Sequence, residues 1–305
     1  MGGHIECVGG GTTAVDFQPG IEPMAVQPLM NDIKLARRLE ADEMLGLEEC
    51  MQAVQQRQPQ VRAERLAVAD GLALFCGEGS PLSRAVGLGM RRPIVPGHLQ
   101  QLHEFYAAHG SPAEFDLCPL ADESLWEAAR REGYHIKEFE NVWVRPVGDP
   151  MHLERDAPRI RVLEIGLDQA GLWADVVDRG FNEGRTPARM TERIGLILPY
   201  AANTRCFLAY VGESPAGGGA ISVHGPTAAL FSAATLPEFR RSGVQTALLA
   251  ARLAAAAASG CDLAQVHTAP GSGSQRNVER IGFRLAYTKC AMRRPQTARE
   301  VDHAA

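Results

Sequence analysis

LPEFRRSGVQTALL, at positions 236–249, joins two opposite patterns in the sequence. The apolar run before it, Ala228–Thr235, is typical of a β-strand, and Pro237 ends that strand because a proline cannot donate to a sheet ladder. The alanine-rich run after it predicts a long α-helix. The stretch is therefore predicted to be a strand-to-helix turn, and the rest of the chain is interpreted around it.

The helix N-terminus in this turn is a candidate anion site. The first N–H groups of a helix have no intrahelical acceptor, and they lie at the positive end of the helix dipole. Gly243 lets an anion approach the backbone closely, while Arg240 and Arg241 add positive charge. The pattern predicts a phosphate-bearing ligand. The alternative is a polar turn that binds nothing.

The spacing from Arg240 to Gly243 resembles the Arg/Gln-x-x-Gly-x-Gly/Ala signature of the Gcn5-related N-acetyltransferases (GNAT). In that family this loop holds the pyrophosphate of acetyl-coenzyme A. Gln245 departs from the signature, since Gly or Ala is usual at its position. The context supports the resemblance: a second strand at 263–268, a short helix and a final strand follow in the order of the GNAT core. The resemblance covers about residues 159 to 294.

The two halves of the chain also resemble each other. Arg131-Glu-Gly133-Tyr134 and Arg280-Ile-Gly282-Phe283 lie 149 residues apart, each after a predicted short helix. Such self-similarity predicts two copies of one fold. The expected fold class is α/β: two tandem GNAT folds, each with a central splayed mixed β-sheet flanked by helices.

The first copy is predicted to lack a working phosphate loop. Pro93 and Pro96 remove two backbone donors at the corresponding place. The chain as a whole thus resembles bacterial tandem acetyltransferases whose N-terminal domain has lost its cofactor loop. The predicted division is a flexible N-terminal lead-in at 1–28, a degenerate GNAT-like domain at 29–146, a linker at 147–158, a catalytic GNAT domain at 159–295 and a tail at 296–305.

Composition narrows the function classes. The 305 residues are 45% hydrophobic and 22% charged, with a formal net charge of −5, so no general nucleic-acid footprint is present. No apolar run is long enough to span a bilayer, and the first residues lack the pattern of a signal peptide. Seven scattered cysteines, never in a C-x-x-C pair, favour buried reduced thiols in a cytoplasmic protein over disulfides or a metal site.

The resemblance implies an acetyl-CoA co-substrate whose thioester is attacked by an amine. In the family a free N–H of the strand before the loop bonds the thioester carbonyl, and the loop and the next short helix contact the coenzyme. The cofactor-binding residues carried over are Ala234, Thr235, Leu236, Arg240, Arg241, Ser242, Gly243, Val244, Gln245, Thr246, Ser274, Asn277 and Arg280.

The acid and base of the family are both missing from their usual places. The Tyr that often protonates the departing thiolate is replaced by Val278, and no Asp or Glu occurs at 228–236. His267, late in the next strand, is the candidate base because an imidazole accepts a proton near neutral pH. The alternatives are a histidine bonded into the sheet, the weaker candidate His224, or a base that acts through water. Tyr287 is interpreted as a core or edge residue.

The acceptor is expected between the helices at 169–198 and the splayed strands. A primary amine on a small molecule or a peptide is the predicted acceptor, and the oligomeric state stays open. Two other functions are compatible with the loop: a regulatory protein that only binds the coenzyme, and transfer of an acyl group longer than acetyl. The polar and aromatic residues in the expected acceptor region, which could equally be a solvated surface, are Phe181, Asn182, Glu183, Arg185, Glu192 and Tyr200.

Overall fold

The computed structural model describes residues 32–150, 160–187 and 193–295. The predicted lead-in at 1–28, most of the predicted linker, the tail at 296–305 and the acceptor candidate Glu192 lie outside these residues.

The first half begins with a long helix that the sequence pattern predicts as bent or double around Gly46. It is one continuous helix, which begins after Asp32, whose carboxylate accepts a hydrogen bond from Lys34 N–H. It ends before Pro59, where a proline cannot continue the helix. The elements of this half are α1 (Ile33–Arg57), β1 (Glu64–Val68), β2 (Gly71–Phe75), β3 (Ala85–Val86), α2 (His98–Ala107), β4 (Ala113–Leu117), α3 (Glu123–Arg131) and β5 (His135–Pro146).

The second half has the order of elements predicted around the strand-to-helix turn. Ser272 caps its last helix by accepting from Gln275 N–H. Its elements are β6 (Ile160–Glu164), α4 (Ala170–Phe181), β7 (Thr204–Val211), β8 (Ser214–His224), β9 (Thr227–Thr235), α5 (Val244–Ala258), β10 (Leu263–Thr268), α6 (Gly273–Arg280) and β11 (Arg284–Arg294).

The sequence pattern also predicts a strand at 85–90, a helix at 189–198 and a hairpin loop at 212–218, and the structure differs from each of the three. The strand predicted at 85–90 covers only β3, because Gly87 and Gly89 turn the backbone into the left-handed region (φ 74° and 68°). The helix predicted at 189–198 is, in its described part, two short 3₁₀ turns at Ile194–Leu196 and Leu198–Tyr200. The loop predicted at 212–218 is a tight turn, since β8 already begins at Ser214.

The glycines that suggested this loop are required inside β8. A Cβ on Gly217 would lie 2.6 Å from Ala234 O, and one on Gly218 would lie 2.7 Å from Val177 Cγ2. Real Cβ atoms do not approach other atoms so closely. The glycine run therefore marks close packing of β8 against β9 and α4 and not a loop.

The described strands form one mixed sheet of eleven in the order β1-β2-β3-β4-β11-β5-β10-β9-β8-β7-β6. The two halves exchange their last strands: β11 lies between β4 and β5, while β5 lies between β11 and β10. The two glycines of the sequence repeat, Gly133 and Gly282, both have left-handed backbones (φ 75° and 89°) and precede β5 and β11. The division of the chain into domains near residue 147 stays a prediction, and the sheet is continuous across it.

Helix α1 packs against both halves of the molecule. Its buried residues Leu47, Cys50, Met51 and Val54 share one hydrophobic cluster with Trp173, Leu198 and Leu236 of the second half. Helix α5 covers the other face of the sheet, where Leu248 and Leu253 pack in a second cluster. The carboxyl ends of β9 and β10 consequently lie beside a helix that belongs to the first half of the chain.

Candidate active site

Strands β9 and β10 separate in the middle of the sheet. They pair in parallel from Leu263↔Thr227 to Val266↔Leu230, and no pairing follows although β9 continues for five residues. On its other side, β9 carries a bulge where its register with β8 shifts, at Ser232, which has a left-handed backbone (φ 48°). The bulge and the splay open a wedge between the two strands.

A backbone N–H at the end of β9 faces this wedge. Leu236 N–H donates to Ala216 O of β8 over 2.9 Å. N–H groups alternate in direction along a strand, so the N–H of Ala234 also faces β8 while that of Thr235 faces the wedge. Of the three residues predicted to offer a free N–H, Thr235 has the geometry to do so.

The strand-to-helix turn has the backbone of an anion site. Arg241 and Gly243 both lie in the left-handed region (φ 65° and 91°), on either side of Ser242. The first bond of α5 runs from Ala247 N–H to Gly243 O, so the preceding amides of the helix have no intrahelical acceptor. Gly243, at the N-cap, has no side chain to satisfy them.

A cavity of about 630 Å³ lies against this turn. Four arginines line it, Arg240, Arg241, Arg276 and Arg280, and give it positive charge. Most of the predicted cofactor-binding residues line it as well; Leu236 and Ser242 do not, and Ser242 Oγ donates to Phe239 O over 2.6 Å. Those that line it are Ala234, Thr235, Arg240, Arg241, Gly243, Val244, Gln245, Thr246, Ser274, Asn277 and Arg280.

Two side chains of the loop are engaged by other residues. The guanidinium of Arg240 binds both carboxylate oxygens of Glu183 over 2.9 and 3.1 Å. Gln245, the departure from the GNAT signature, donates from Nε2 to Thr235 Oγ1 over 2.9 Å. The glutamine thus braces the residue whose N–H faces the wedge.

A second cavity, of about 340 Å³, meets the first at Phe181, Ala233 and Ser274, which line both. It lies between α1 and the splayed strands. Its lining within the described residues comes in large part from the first half of the chain: Asp42, Glu43, Gly46, Leu47, Cys50, Pro81, Leu82, Arg84 and Glu140.

His267 lines the second cavity beside a buried ionic network. Its Nδ1 lies 3.2 Å from Glu140 Oε2 and 3.9 Å from Glu43 Oε1. Lys289, only 1% exposed, lies 2.6 Å from Glu43 Oε2 and 3.6 Å from Glu140 Oε2. Arg84 binds the other oxygen of Glu43. The imidazole of His267 and the carboxylates of Glu43 and Glu140 lie within 4.8 Å of one another. Both carboxylates contact Lys289, and that of Glu43 also contacts Arg84.

The network makes His267 a stronger base. Burial and Lys289 act to lower the pKa of His267, but the carboxylates of Glu140 and Glu43 outweigh them and raise it. Burial acts to raise the pKa of Glu43, but Lys289, His267 and Arg84 lower it to about 2. Both carboxylates therefore stay ionised while the imidazole titrates.

The comparisons with known proteins agree with this geometry. Residues 173–283 match the model of the Acetyltransferase (GNAT) family. This part of the chain is a GNAT domain. Comparison with curated protein sequences returned no match.

Solved structures extend the likeness to both halves. A GCN5-related N-acetyltransferase from Kribbella flavida has a TM-score of 0.62 at 17% identity, over 86% of this chain and 96% of that one. A tandem GNAT protein from the clavulanic acid biosynthesis pathway has a TM-score of 0.52 at 16% identity, over 84% and 97%. A functionally unknown conserved protein from Staphylococcus epidermidis has a TM-score of 0.51 at 14% identity, over 70% and 85%. The predicted fold class, a GNAT-like α/β fold with a mixed sheet flanked by helices, is confirmed, and one of these neighbours is a tandem GNAT protein.

The corresponding loop of the first half lacks two backbone donors and has two others occupied. Pro93 and Pro96 have no N–H, Ile94 N–H donates to Ser124 Oγ over 2.7 Å, and Val95 N–H donates to His98 Nδ1 over 3.2 Å. This loop is thus unlike the one that precedes α5 in the GNAT domain.

Several residues that the sequence placed near the acceptor have other contacts. Glu183 binds Arg240, and the ring of Tyr200 lies 4.1 Å under the guanidinium of Arg57. Tyr287 is a core residue, as interpreted, and its hydroxyl donates to Glu40 Oε1 over 2.7 Å. Of the six acceptor candidates, Phe181 alone is among the described residues that line the second cavity.

Sequence reasoning missed the contribution of α1. Acidic residues on a helix are usually read as its solvated face, and Asp42 and Glu43 gave no sign of lining a cavity in the GNAT domain. Gly46 was the available signal, because a glycine in the middle of a helix lowers stability and needs a reason.

None of the described helices is long and apolar enough to cross a bilayer.

Proposed function

We propose that this protein is an acetyl-CoA-dependent N-acetyltransferase that transfers an acetyl group to the primary amine of a small molecule. The observation that carries the proposal is the place where the two cavities meet. Thr235 N–H faces a wedge between a cationic, loop-lined cavity and a smaller cavity that holds a basic histidine.

The residues of the first cavity fit the coenzyme. The free amides at the start of α5 would bind its phosphates, and the arginines that line the cavity add positive charge around them. Bound there, acetyl-CoA supplies an activated acetyl group. Thr235 N–H would donate to the thioester carbonyl oxygen and stabilise the negative charge that develops on it.

The second cavity would hold the acceptor amine. His267 would accept the proton that the amine loses as its nitrogen attacks the carbonyl carbon, and Glu140 would stabilise the imidazolium that results. Ser274, which lines both cavities, offers a hydroxyl that would protonate the departing thiolate. In that role Ser274 would replace the Tyr that the family often has at the position of Val278.

Calorimetric titration of the full chain with acetyl-CoA, followed by mass spectrometry of amine products, tests the proposal. We expect one binding site per chain, because the loop of the first half lacks two backbone donors at Pro93 and Pro96 and has those of Ile94 and Val95 occupied. Acetylated product is expected with at least one small primary amine. Binding without product from any amine would favour a coenzyme-binding regulatory role, and no binding would overturn the assignment.

A further inference from the structure

The second cavity has one buried acceptor atom without a partner. Gln265 is 1% exposed and lines this cavity, and its Nε2 donates to Asp42 Oδ2. The carboxylate can only accept, which fixes the orientation of the amide. Gln265 Oε1 is therefore the atom left over, and it has no hydrogen-bond partner among the described residues.

A buried acceptor without a donor is costly, so this atom points to a ligand. Gln265 and His267 are two residues apart on β10, so their side chains lie on one face of the strand, about 7 Å apart. A molecule whose amine reaches His267 can place a second donor on Gln265 Oε1.

The charges nearby indicate that this second donor is neutral. Asp42 is close, but both of its oxygens are taken: Oδ2 by Gln265, and Oδ1 by His224 Nδ1 over 3.0 Å. His224 also contacts Glu49 Oε2 over 3.1 Å. A second ammonium placed at this end would compete with Gln265 and His224 for the oxygens of Asp42, and a carboxylate placed there would face Asp42.

Most of the remaining lining residues are apolar, and the wall sets a size limit. Gly46 of α1 lines the cavity, and a Cβ added to it would meet only His224 Cε1 at 3.7 Å and Ser222 Oγ at 3.8 Å. Packing does not require a glycine at this position, so the missing side chain leaves space for a ligand. The apolar lining residues include Leu47, Cys50, Leu82, Ile194, Leu198, Leu230 and Phe231.

We propose that the acceptor is a small monoamine with an apolar body and a hydroxyl group about 7 Å from the amine, bound between His267 and Gln265 and limited in size by Gly46. The inference rests on the proposed function and names its substrate class. The first half of the chain selects the acceptor, since α1 supplies both the partner of Gln265 and the glycine.

Four amines with the same five-carbon chain test the class. They are 5-aminopentan-1-ol, pentylamine, 5-aminopentanoate and 1,5-diaminopentane, which end in a hydroxyl, a methyl, a carboxylate and an ammonium. We expect kcat/KM for the amino alcohol to exceed that for pentylamine by about tenfold, and the two charged amines to be poorer still. A charged amine that reacts best, or equal rates with and without the hydroxyl, would overturn the class while product formation keeps the transferase function.

Direct binding separates the two proposals if no amine reacts. Calorimetry of the four amines with the CoA-saturated protein should give the same order of affinity, with the amino alcohol tightest. That order without product would retain the ligand class and reject the transferase function. Absence of binding, or a different order, would reject the class.

Two variants locate the site. Gln265→Met should remove the preference for the hydroxyl and bring the ratio of kcat/KM for amino alcohol and pentylamine close to one. Gly46→Leu should raise KM for the amino alcohol at least about tenfold by filling the cavity, with Gly46→Ala as the matched control. Neither change touches the coenzyme loop, so unchanged acetyl-CoA affinity verifies the fold. Unchanged ratios and KM in folded variants would place the acceptor elsewhere.

Discussion

His267 Nδ1 lies 3.2 Å from Glu140 Oε2, so the candidate base of the second half is bound to a carboxylate of the first half. The contact exists because β5 pairs with β10 in antiparallel register, which sets His267 opposite Val142. Strand β5 thus carries Glu140, one of the carboxylates that raise the pKa of His267.

This contact predicts the pH dependence of the reaction. His267 must be neutral to accept a proton, and its pKa is raised above the ordinary value of 6.5, so kcat/KM should rise with pH through that raised pKa. Glu140→Gln removes negative charge beside the imidazolium, which lowers the pKa and moves the rising limb to lower pH. The pH profile of kcat/KM measures the shift. Glu138→Gln, an exposed change on the same strand, should leave the profile in place, and an unshifted limb in Glu140→Gln would remove His267 from the mechanism.

The base itself gives a second prediction. His267→Gln keeps a polar side chain of similar size but cannot accept the proton, so kcat should fall about a hundredfold at neutral pH. The dissociation constant of acetyl-CoA should not change, because His267 lines only the acceptor cavity among the two described. His135→Gln, at an exposed position of β5, serves as the control. Equal kcat in the two variants would return His267 to a structural role.

A substitution at Gly243 tests the coenzyme loop. Gly243→Asp places a negative charge at the N-terminus of α5, where the phosphates are proposed to bind, and should weaken acetyl-CoA binding more than tenfold in calorimetry. Gly225→Asp, in the turn between β8 and β9, is the matched control. Gly225 also has a left-handed backbone (φ 56°), and its surroundings are open. Similar affinity in both variants would contradict the loop assignment.

Local patterns predicted most of the fold. The strand ended by Pro237, the long helix that follows it and the helix-to-strand turns at Gly133 and Gly282 are local features, and they all appear in the structure. The hairpin loop predicted from the glycines of β8 is wrong, because their role depends on contacts with Ala234 and Val177, which lie in other elements of the chain. Composition alone cannot distinguish a glycine that turns the chain from one that lets two strands approach.

The site could be predicted only in the part that one segment forms. Residues 240–246 bring their backbone donors together by local geometry, so the sequence identified the loop. The acceptor cavity depends instead on the packing of α1 against β9 and β10. Glu43 and Lys289 are 246 residues apart in sequence but 2.6 Å apart in space. No pattern of spacing contains such a pair.

This buried pair supports a prediction about stability. Lys289 is 1% exposed and contacts Glu43, Asp116 and Glu140. Lys289→Met leaves the largely buried carboxylates of Glu43 and Asp116 with less compensation, so the free energy of unfolding should fall by about 3–5 kcal/mol. Urea denaturation measures the change. Lys137→Met, which breaks an exposed ion pair with a 39% exposed lysine, should cost at most about 1 kcal/mol. A loss as small in Lys289→Met would show that the cluster does not depend on its cation.

The bulge in β9 has its own support, in Arg252 of α5. This fully buried arginine donates from Nη1 to Ala220 O over 3.1 Å and to Phe231 O over 3.2 Å, the carbonyls of the residue pair next to the register shift. Burial lowers its pKa to about 9, and its Nη2 has no partner among the described residues. A cation so poorly compensated adds little stability, which makes the shape of the strand its main contribution.

Arg252→Met should therefore reduce activity more than stability. Without donors for the two carbonyls, β9 can pair with β8 without the bulge, and Thr235 N–H would turn away from the wedge. We expect kcat to fall about tenfold or more, while the acetyl-CoA affinity, held by the loop and α6, changes less. Leu253→Met, a change of similar volume at the next buried position of the helix, is the control for packing. Loss of stability with an unchanged kcat would mean that Arg252 only fills the core.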